Sequence, residues 1–179
     1  MRAAWRPYAA DIVSILGHVA VGIAAARMLT PENEHPNESL GRMVAFAGLA
    51  MLPDVDFLLQ AMAPAVSALA HRGASHSLAF ALAVGAALAI AHGLSGGRRV
   101  WVVGATTSAL VATHGMLDWL GDSDRGVALL WPLFDERFSA PWRLLPNPSF
   151  GLPEGLVMLA IEFAVFLPLW VYALAPRRC

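Results

Sequence analysis

Five long apolar segments alternate with shorter polar ones along the chain. They cover approximately residues 8–29, 43–62, 76–94, 100–120 and 156–175. Each is about 20 residues long, which at about 1.5 Å per residue of α-helix is close to the thickness of the hydrocarbon core of a bilayer. Strand-like alternation of apolar and polar residues is absent. The pattern therefore predicts an all-α fold, a transmembrane bundle of four to five helices that forms a single domain over residues 1–179.

The composition agrees with this prediction. Hydrophobic residues make up 58% of the sequence and charged residues 14%, and lysine does not occur. The 12 arginines are balanced by 13 acidic residues, so the chain lacks the basic face that nucleic-acid binding requires. We expect an integral, multi-pass protein of a bacterial-type inner (cytoplasmic) membrane with no nucleic-acid partner.

Ionisable residues are concentrated at a few places in this apolar chain. Burial of such a group without a partner costs several kcal/mol. The densest place is the stretch from His71 to Ser77, which reads HRGASHS. Ser75 is expected to cap a helix that begins at His76. This stretch is therefore the first candidate for one wall of a functional site.

Two further pairs have the spacing of metal ligands. Asp54 and Asp56 follow Pro53, whose ring breaks the second apolar segment. In a turn both carboxylates can reach one ion, whereas on a continuous helix they would point in different directions. His114 and Asp118 lie four residues apart, so they share one helix face and can bind one ion or simply each other.

Imidazole nitrogen and carboxylate oxygen are the ligands of hydrolytic zinc, and they also suit manganese and iron. Burying so many ionisable groups without a cation would be costly. We therefore predict a site in the bundle for one or two divalent ions, with Zn²⁺ favoured and Mn²⁺ or Fe²⁺ as alternatives. Which member of the aspartate pair and which of the two histidines binds directly is left open. The candidate ligands are His18, Asp54, Asp56, His71, His76, His114 and Asp118.

Three residues are candidates for catalysis. Arg72 carries a planar guanidinium that suits a phosphate or carboxylate oxyanion, although it could instead extend to lipid headgroups. Asp56 and Glu162 are candidates for the general base. Glu162 lies within the last apolar segment, where an ionisable residue is a functional candidate, but it could also only pair with a polar group on another helix.

These motifs resemble those of the inner-membrane "membrane-bound metal-dependent hydrolase" family, whose best-known members are LexA-regulated. The resemblance covers approximately residues 15–140, and its most specific part is the His-Arg-Gly-x-Ser/Thr-His-Ser element. The matching motifs are Gly17-His18, Leu52-Pro53-Asp54-Val55-Asp56, His71-Arg72-Gly73-Ala74-Ser75-His76-Ser77, His114-x-x-x-Asp118 and Gly126-Val127-Ala128-Leu129-Leu130-Trp131-Pro132.

More distantly, the order of histidines and aspartates is similar to that of the zinc-dependent phospholipase C and single-strand nuclease superfamily. Those proteins are all-helical and cleave phosphate esters with a cluster of zinc ions. The resemblance implies a main metal site and a neighbouring ion bound by His18. The chain lacks the later His-x-x-x-Glu pair of that superfamily. The main site would consist of Asp54, one of His71 and His76, His114 and Asp118.

The residues and the resemblance together favour a membrane-bound metal-dependent hydrolase. Its metal-activated water would cleave a phosphoester or ester of a lipid or lipid-linked small molecule. The alternative is a divalent-cation transporter, or a metal-binding membrane protein without hydrolase activity, because intramembrane His/Asp pairs also serve ion pathways. The fixed charge of Arg72 argues against transport. Two other hypotheses remain. The protein could bind a haem through His18 and His114, or its His/Asp pairs could form a purely structural hydrogen-bond network.

Overall fold

The computed structural model describes residues 15–30, 36–63, 66, 70–121, 126–142 and 152–175. Within them the chain is helical, as predicted, with isolated bridges such as Val127–Phe138 but no strand. The predicted start of the first segment, residues 8–14, lies outside the described ranges. The α-helices are α1 (Ile15–Leu29), α2 (Pro36–Ala50), α3 (Asp56–Met62), α4 (Leu78–Leu94), α5 (Val100–Leu120) and α6 (Leu152–Leu174), and 3-10 turns at Leu52–Val55 and Ala74–His76 precede α3 and α4.

Helices α1 and α5 hold the bundle together. Helix α5 contacts α4, α2 and α1, and α1 also contacts α2 and α6. Helices α1 and α6 run in the same direction, because the backbone of Gly17 donates to Glu162 at 2.7 Å and Arg27, further along α1, donates to the carbonyl of Ala173 at 3.1 Å. If five successive segments alternate in direction, the first and the last are parallel, as α1 and α6 are here.

The second apolar segment is broken where the sequence predicts a break. The axes of Glu38–Ala50 and Leu52–Met62 differ by 60°. Pro53 lies at the start of the 3-10 turn, where its missing N–H leaves no helical carbonyl without a donor. The break brings Asp54 within 3.2 Å of His114 on α5.

Length and hydropathy identify fewer clear spans than the four to five predicted. Among the described residues, α5 is long and apolar enough to cross a membrane, and the bent pair Glu38–Ala50 and Leu52–Met62 also qualifies if it is counted as one span. The apolar helices Ile15–Leu29, Leu78–Leu94 and Leu159–Leu174 have only 10–17 residues. One or two spans are therefore supported, and the larger number stays a prediction.

The helix after the His71–Ser77 stretch begins later than predicted. Helix α4 starts at Leu78, and its cap is Ser77, whose hydroxyl oxygen accepts from the N–H of Phe80 at 3.0 Å. The assignment of Ser75 as the cap is wrong. Ser75 lies inside the 3-10 turn, and the chain becomes extended only at Ser77, from which α4 begins. The hydroxyl of Ser75 instead donates to the carboxylate of Asp56 at 2.7 Å.

The loop after α5 is attached to the same stretch. The N–H of Ala128 donates to the carbonyl of Arg72 at 3.0 Å, and the N–H of Leu78 donates to Leu129 at 3.0 Å. The side chain of Arg137 donates to the carbonyl of His71 at 3.0 Å. These bonds fix the backbone of the stretch close to the C-terminal end of α5.

Candidate metal centre

All seven predicted metal ligands come together in one cluster. Helix α1, the break with the first residue of α3, the stretch from His71 to His76 and the last turns of α5 supply them. All are buried except Asp54, whose side chain is 19% exposed. The members are His18, Asp54, Asp56, His71, His76, His114 and Asp118.

Asp56, at the start of α3, contacts four donors. Its Oδ1 lies 2.9 Å from Nδ1 of His71. Its Oδ2 accepts from the backbone N–H of Arg72 at 3.1 Å and from the hydroxyl of Ser75 at 2.7 Å, and it lies 3.1 Å from Nδ1 of His76. Because an ionised carboxylate only accepts hydrogen bonds, each histidine carries a proton on Nδ1, and in the neutral ring the lone pair is on Nε2.

His114 on α5 is oriented in the same way by the main chain. Its Nδ1 donates to the carbonyl of Ala50 at 2.7 Å. The lone pair of the neutral ring is therefore on Nε2. This atom lies 3.2 Å from Oδ1 of Asp54 and 3.9 Å from Oδ2 of Asp118. Lone pairs that face one another in this way favour a cation between them.

Nε2 of His76 is directed at the same two carboxylates. It lies 3.1 Å from Oδ2 of Asp118 and 3.6 Å from Oδ1 of Asp54. Burial opposes the charged form of His76, but hydrogen bonds to Asp118, Asp54 and Asp56 outweigh burial and raise the pKa of this imidazole well above its usual range. The carboxylates thus attract a positive charge to this point, either a proton or a metal ion.

Four of these atoms have nitrogen–oxygen separations like those of ligands around one ion. They are Nε2 of His76 and of His114, Oδ1 of Asp54 and Oδ2 of Asp118, with nitrogen–oxygen separations of 3.1, 3.2, 3.6 and 3.9 Å. A tetrahedral zinc ion with bonds of about 2.1 Å holds its ligand atoms about 3.4 Å apart. The residues therefore fit zinc, and a donor set of nitrogen and oxygen also suits manganese or iron.

The cluster contains more donors than one ion needs. The ring of His18 stacks on that of His114 with centroids 3.7 Å apart, and its Nε2 lies 3.3 Å from Oδ1 of Asp118. Donor atoms within 4.8 Å of one another form two groups, and each group is large enough to hold an ion. These groups are His18 with His114 and Asp118, and Asp54 with His71 and His76.

Arg72 places a positive charge beside these carboxylates. It is 1% exposed, and its Nε lies 3.4 Å from Oδ2 of Asp118. Its φ of 62° lies in the left-handed region, which disfavours residues other than glycine, and bonds to Asp56 and Ala128 hold it there. Among the described residues of the cluster, three carboxylates and one guanidinium leave two negative charges, which one divalent cation neutralises.

Glu162 contacts the cluster through the backbone of α1. It is buried in α6, and its carboxylate accepts from the N–H of Gly17 at 2.7 Å, one residue before His18. Its role as general base stays a prediction, as do the roles of Asp56 as a base or direct ligand and of Arg72 as an oxyanion donor.

Sequence reasoning missed residues that act through the main chain. Ala50 supplies the carbonyl that orients His114, and nothing in an alanine indicates this. Gly115 lets α5 approach the turn of His76, because a Cβ at this position would collide with the carbonyl oxygen of His76. Gly115 did carry a signal, since a glycine inside a helix lowers its stability unless a close approach requires it.

Comparison with known proteins assigns the chain to a family. Residues 13–177 match the family described as "YdjM inner membrane protein". The chain is also 36% identical over 134 residues to the inner membrane protein YbcI of Escherichia coli (strain K12), an alignment that covers 71% of this chain and 75% of that protein. No solved structure matches. Neither name states an activity, and both are consistent with the resemblance to membrane-bound hydrolases. The protein is thus located in the bacterial inner membrane, as its hydropathy predicts, and it belongs to the YdjM family of inner membrane proteins.

Proposed function

We propose that the protein is a membrane-bound metal-dependent hydrolase. The observation that supports this is the convergence of two imidazole nitrogens and two carboxylate oxygens at separations of 3.1–3.9 Å. The residues that would hold the ion, Zn²⁺ in the first place, are His76, His114, Asp54 and Asp118. If two ions bind, His18 would join His114 and Asp118 around one of them, and His71 would join Asp54 and His76 around the other.

The remaining polar residues have roles that follow from their contacts. When bound, a divalent ion supplies Lewis-acid activation of water and of the substrate. Arg72 would hold the substrate oxyanion, since its Nη1 and Nη2 have no hydrogen-bond partner among the described residues. Of the two predicted general bases, Glu162 would take this role, since both oxygens of Asp56 are occupied by donors of the protein itself.

The substrate we propose is a phosphoester or ester of a lipid or lipid-linked molecule. The inner-membrane location brings such molecules close to the site. The buried guanidinium of Arg72 favours an anionic group, because its planar fork matches the oxygens of a phosphate. A phosphoester is therefore the first substrate class to test.

Metal content tests the first half of this proposal. Protein purified in detergent from cells supplied with zinc, manganese and iron should carry about one or two ions per chain. The double variant His114→Ala/Asp118→Ala should lose them, because it removes one nitrogen and one oxygen of the four-atom set. His92→Ala is the matched control, since His92 contacts the carbonyl of Arg98 at the far end of α4. Wild-type protein without metal would contradict the proposal.

Hydrolysis tests the second half. The metal-loaded protein should cleave a phosphoester lipid in mixed micelles, and Arg72→Lys, which keeps the charge but loses the fork, should lower kcat by about 10²-fold or more. The alternative function, cation transport, predicts zinc flux into liposomes that is lost in Asp118→Ala. The helix break at Asp54 is a feature that transporters also use. Flux without hydrolysis would therefore replace the proposed function by transport.

A further inference from the structure

We infer that Asp56 is a positioning residue that orients His71 and His76 together, so that both direct Nε2 towards the metal site. This role rests on the proposed metal site and deepens it. It differs from the roles of ligand and general base, because Asp56 would act on the ion only through the two histidines.

The carboxylate of Asp56 is occupied by donors from its own surroundings. Its Oδ2 is within 3.1 Å of three of them, the N–H of Arg72, the hydroxyl of Ser75 and Nδ1 of His76. An oxygen with two lone pairs is saturated by such a set. Its Oδ1 faces Nδ1 of His71 at 2.9 Å. The side chain is 1% exposed, so water does not compete for these bonds.

The proton positions follow from this arrangement. The hydroxyl of Ser75 has one proton, which it donates to Asp56, so its oxygen can only accept from Nδ1 of His76 at 3.0 Å. Nδ1 of His76 must therefore carry a proton. The same holds for Nδ1 of His71, because its neighbour is a carboxylate oxygen. In each neutral ring, the lone pair is then on Nε2.

Other residues of α3 hold His71 in the same orientation. Oε1 of Gln60 accepts from the backbone N–H of His71 at 2.9 Å. The ring of Phe57 stacks on the imidazole with centroids 3.9 Å apart. Helix α3 has only seven residues, but three of them contact His71. They contact its backbone N–H, the face of its ring and its Nδ1. These contacts support a positioning role for the start of α3.

A carboxylate that accepts the second N–H of a metal-bound histidine fixes the tautomer and the ring orientation, and its loss typically lowers metal affinity about 10–100-fold. Here one carboxylate serves two histidines that belong to a single group of candidate ligands with Asp54. Removal of Asp56 should therefore weaken both ligands at once, without removing a ligand atom.

Cobalt substitution separates positioning from coordination. Wild type, Asp56→Asn and Asp54→Asn would be loaded with Co²⁺ and compared by stoichiometry, affinity and visible absorption. Asp56→Asn should keep the wild-type stoichiometry and spectrum but bind about 10–100-fold more weakly, whereas Asp54→Asn should change the spectrum because a ligand oxygen is lost. If Asp56→Asn changes the spectrum or stoichiometry as Asp54→Asn does, Asp56 is a ligand and the inference is overturned.

Histidine ¹⁵N NMR provides a readout that needs no metal. At alkaline pH, His71 of the metal-free wild type should carry its proton on Nδ1. In Asp56→Asn the amide NH₂ can face this ring, so the fraction with the proton on Nε2 should rise. Asp56→Glu keeps the carboxylate and should recover most of the wild-type tautomer. An unchanged His71 tautomer in Asp56→Asn would overturn the inference.

Ser75→Ala is a second variant for this test if Asp56→Asn does not accumulate as folded protein. It removes one of the two partners of Nδ1 of His76 and leaves the contacts of Asp56 with both histidines. Both rings should therefore keep the proton on Nδ1 in the metal-free variant. A rise in the fraction of His76 with the proton on Nε2 would show that Ser75, and not Asp56, orients this ring, and it would overturn the inference. A wild-type protein that binds no cobalt would contradict the proposed function alone, since the tautomers of the metal-free protein still decide the role of Asp56.

Discussion

The two halves of α5 are held in place by opposite means. In the N-terminal half, α5 packs against α4 where side chains are small, and a Cβ on Gly85 would meet the hydroxyl of Ser108 and the carbonyl oxygen of Gly104. In the C-terminal half, His114 and Asp118 contact polar groups on α1, at the end of α2 and in the turn before α4. The first half is positioned by close packing and the second by polar contacts.

The comparison shows how one helix can both stiffen a bundle and carry a charged site. Close packing of small residues needs no particular partner atom but tolerates no added volume. A cluster of polar contacts tolerates small shifts of the helices, but each buried polar group in it requires a hydrogen-bond partner. We therefore expect substitutions in the first half to affect stability and those in the second to affect metal binding. A substitution of Gly115 should affect both stability and metal binding.

Gly115→Ala should have the largest effect. Its methyl group would collide with the carbonyl oxygen of His76, so the turn must move and take Nε2 of His76 with it. We expect zinc affinity to fall by about tenfold or more and the free energy of unfolding to fall by about 1–3 kcal/mol. Competition with a chromophoric chelator and thermal unfolding in detergent would measure these changes.

Gly48→Ala is the control for this prediction, because a Cβ at Gly48 meets nothing within 4 Å. It should bind zinc as the wild type does and unfold at the same temperature or higher. Wild-type zinc affinity in Gly115→Ala would show that the close approach of α5 to the turn does not position His76.

Gly85→Ala should have the second-largest effect and should change stability alone. The carbonyl oxygen of Gly104 would lie 2.5 Å from the new Cβ, and a backbone atom cannot rotate away. The free energy of unfolding should fall by about 1–3 kcal/mol, while zinc affinity of the folded protein should stay within about threefold of wild type. Gly41→Ala, with nothing within 4 Å of its Cβ, is the control. A folded Gly85→Ala protein that fails to bind zinc would disprove the separation of the two halves.

A change of one pH unit should have the smallest of the predicted effects, and it should act on zinc affinity. Burial opposes protonation of His76, but the carboxylates of Asp118, Asp54 and Asp56 outweigh burial and raise its pKa above the usual range. Zinc must displace this proton. Zinc affinity should therefore fall by about tenfold per pH unit below the raised pKa and become flatter above it. Isothermal titration at several pH values would measure the slope, and a constant affinity across the neutral range would contradict the prediction.

Much of the chemistry of the site could be predicted from local sequence rules. The break at Pro53 follows from the missing N–H of proline, and the pairing of His114 with Asp118 on one face follows from helical periodicity. Histidines and aspartates are costly to bury in an apolar chain unless they have polar partners. For this reason the predicted ligands all lie in one cluster. The all-helical fold followed from the same apolar pattern.

Local rules failed where a residue had a choice of distant partners. Ser75 has the properties of a helix cap, but it contacts Asp56 instead, and the cap is Ser77. Among the described residues, one or two of the four to five predicted spans are supported, because an apolar segment of about 20 residues does not determine where its helix begins and ends.

The sequence by itself determined which residues could form the site, because residue type and helical spacing limit what an ionisable group in an apolar chain can do. Only the tertiary structure decided which atom of each residue faces the site. The tautomer of His114 depends on the carbonyl of Ala50, 64 residues earlier, and the arrangement around Asp56 depends on a turn 15–20 residues later. Such contacts are set by how the helices pack, and no local pattern specifies them.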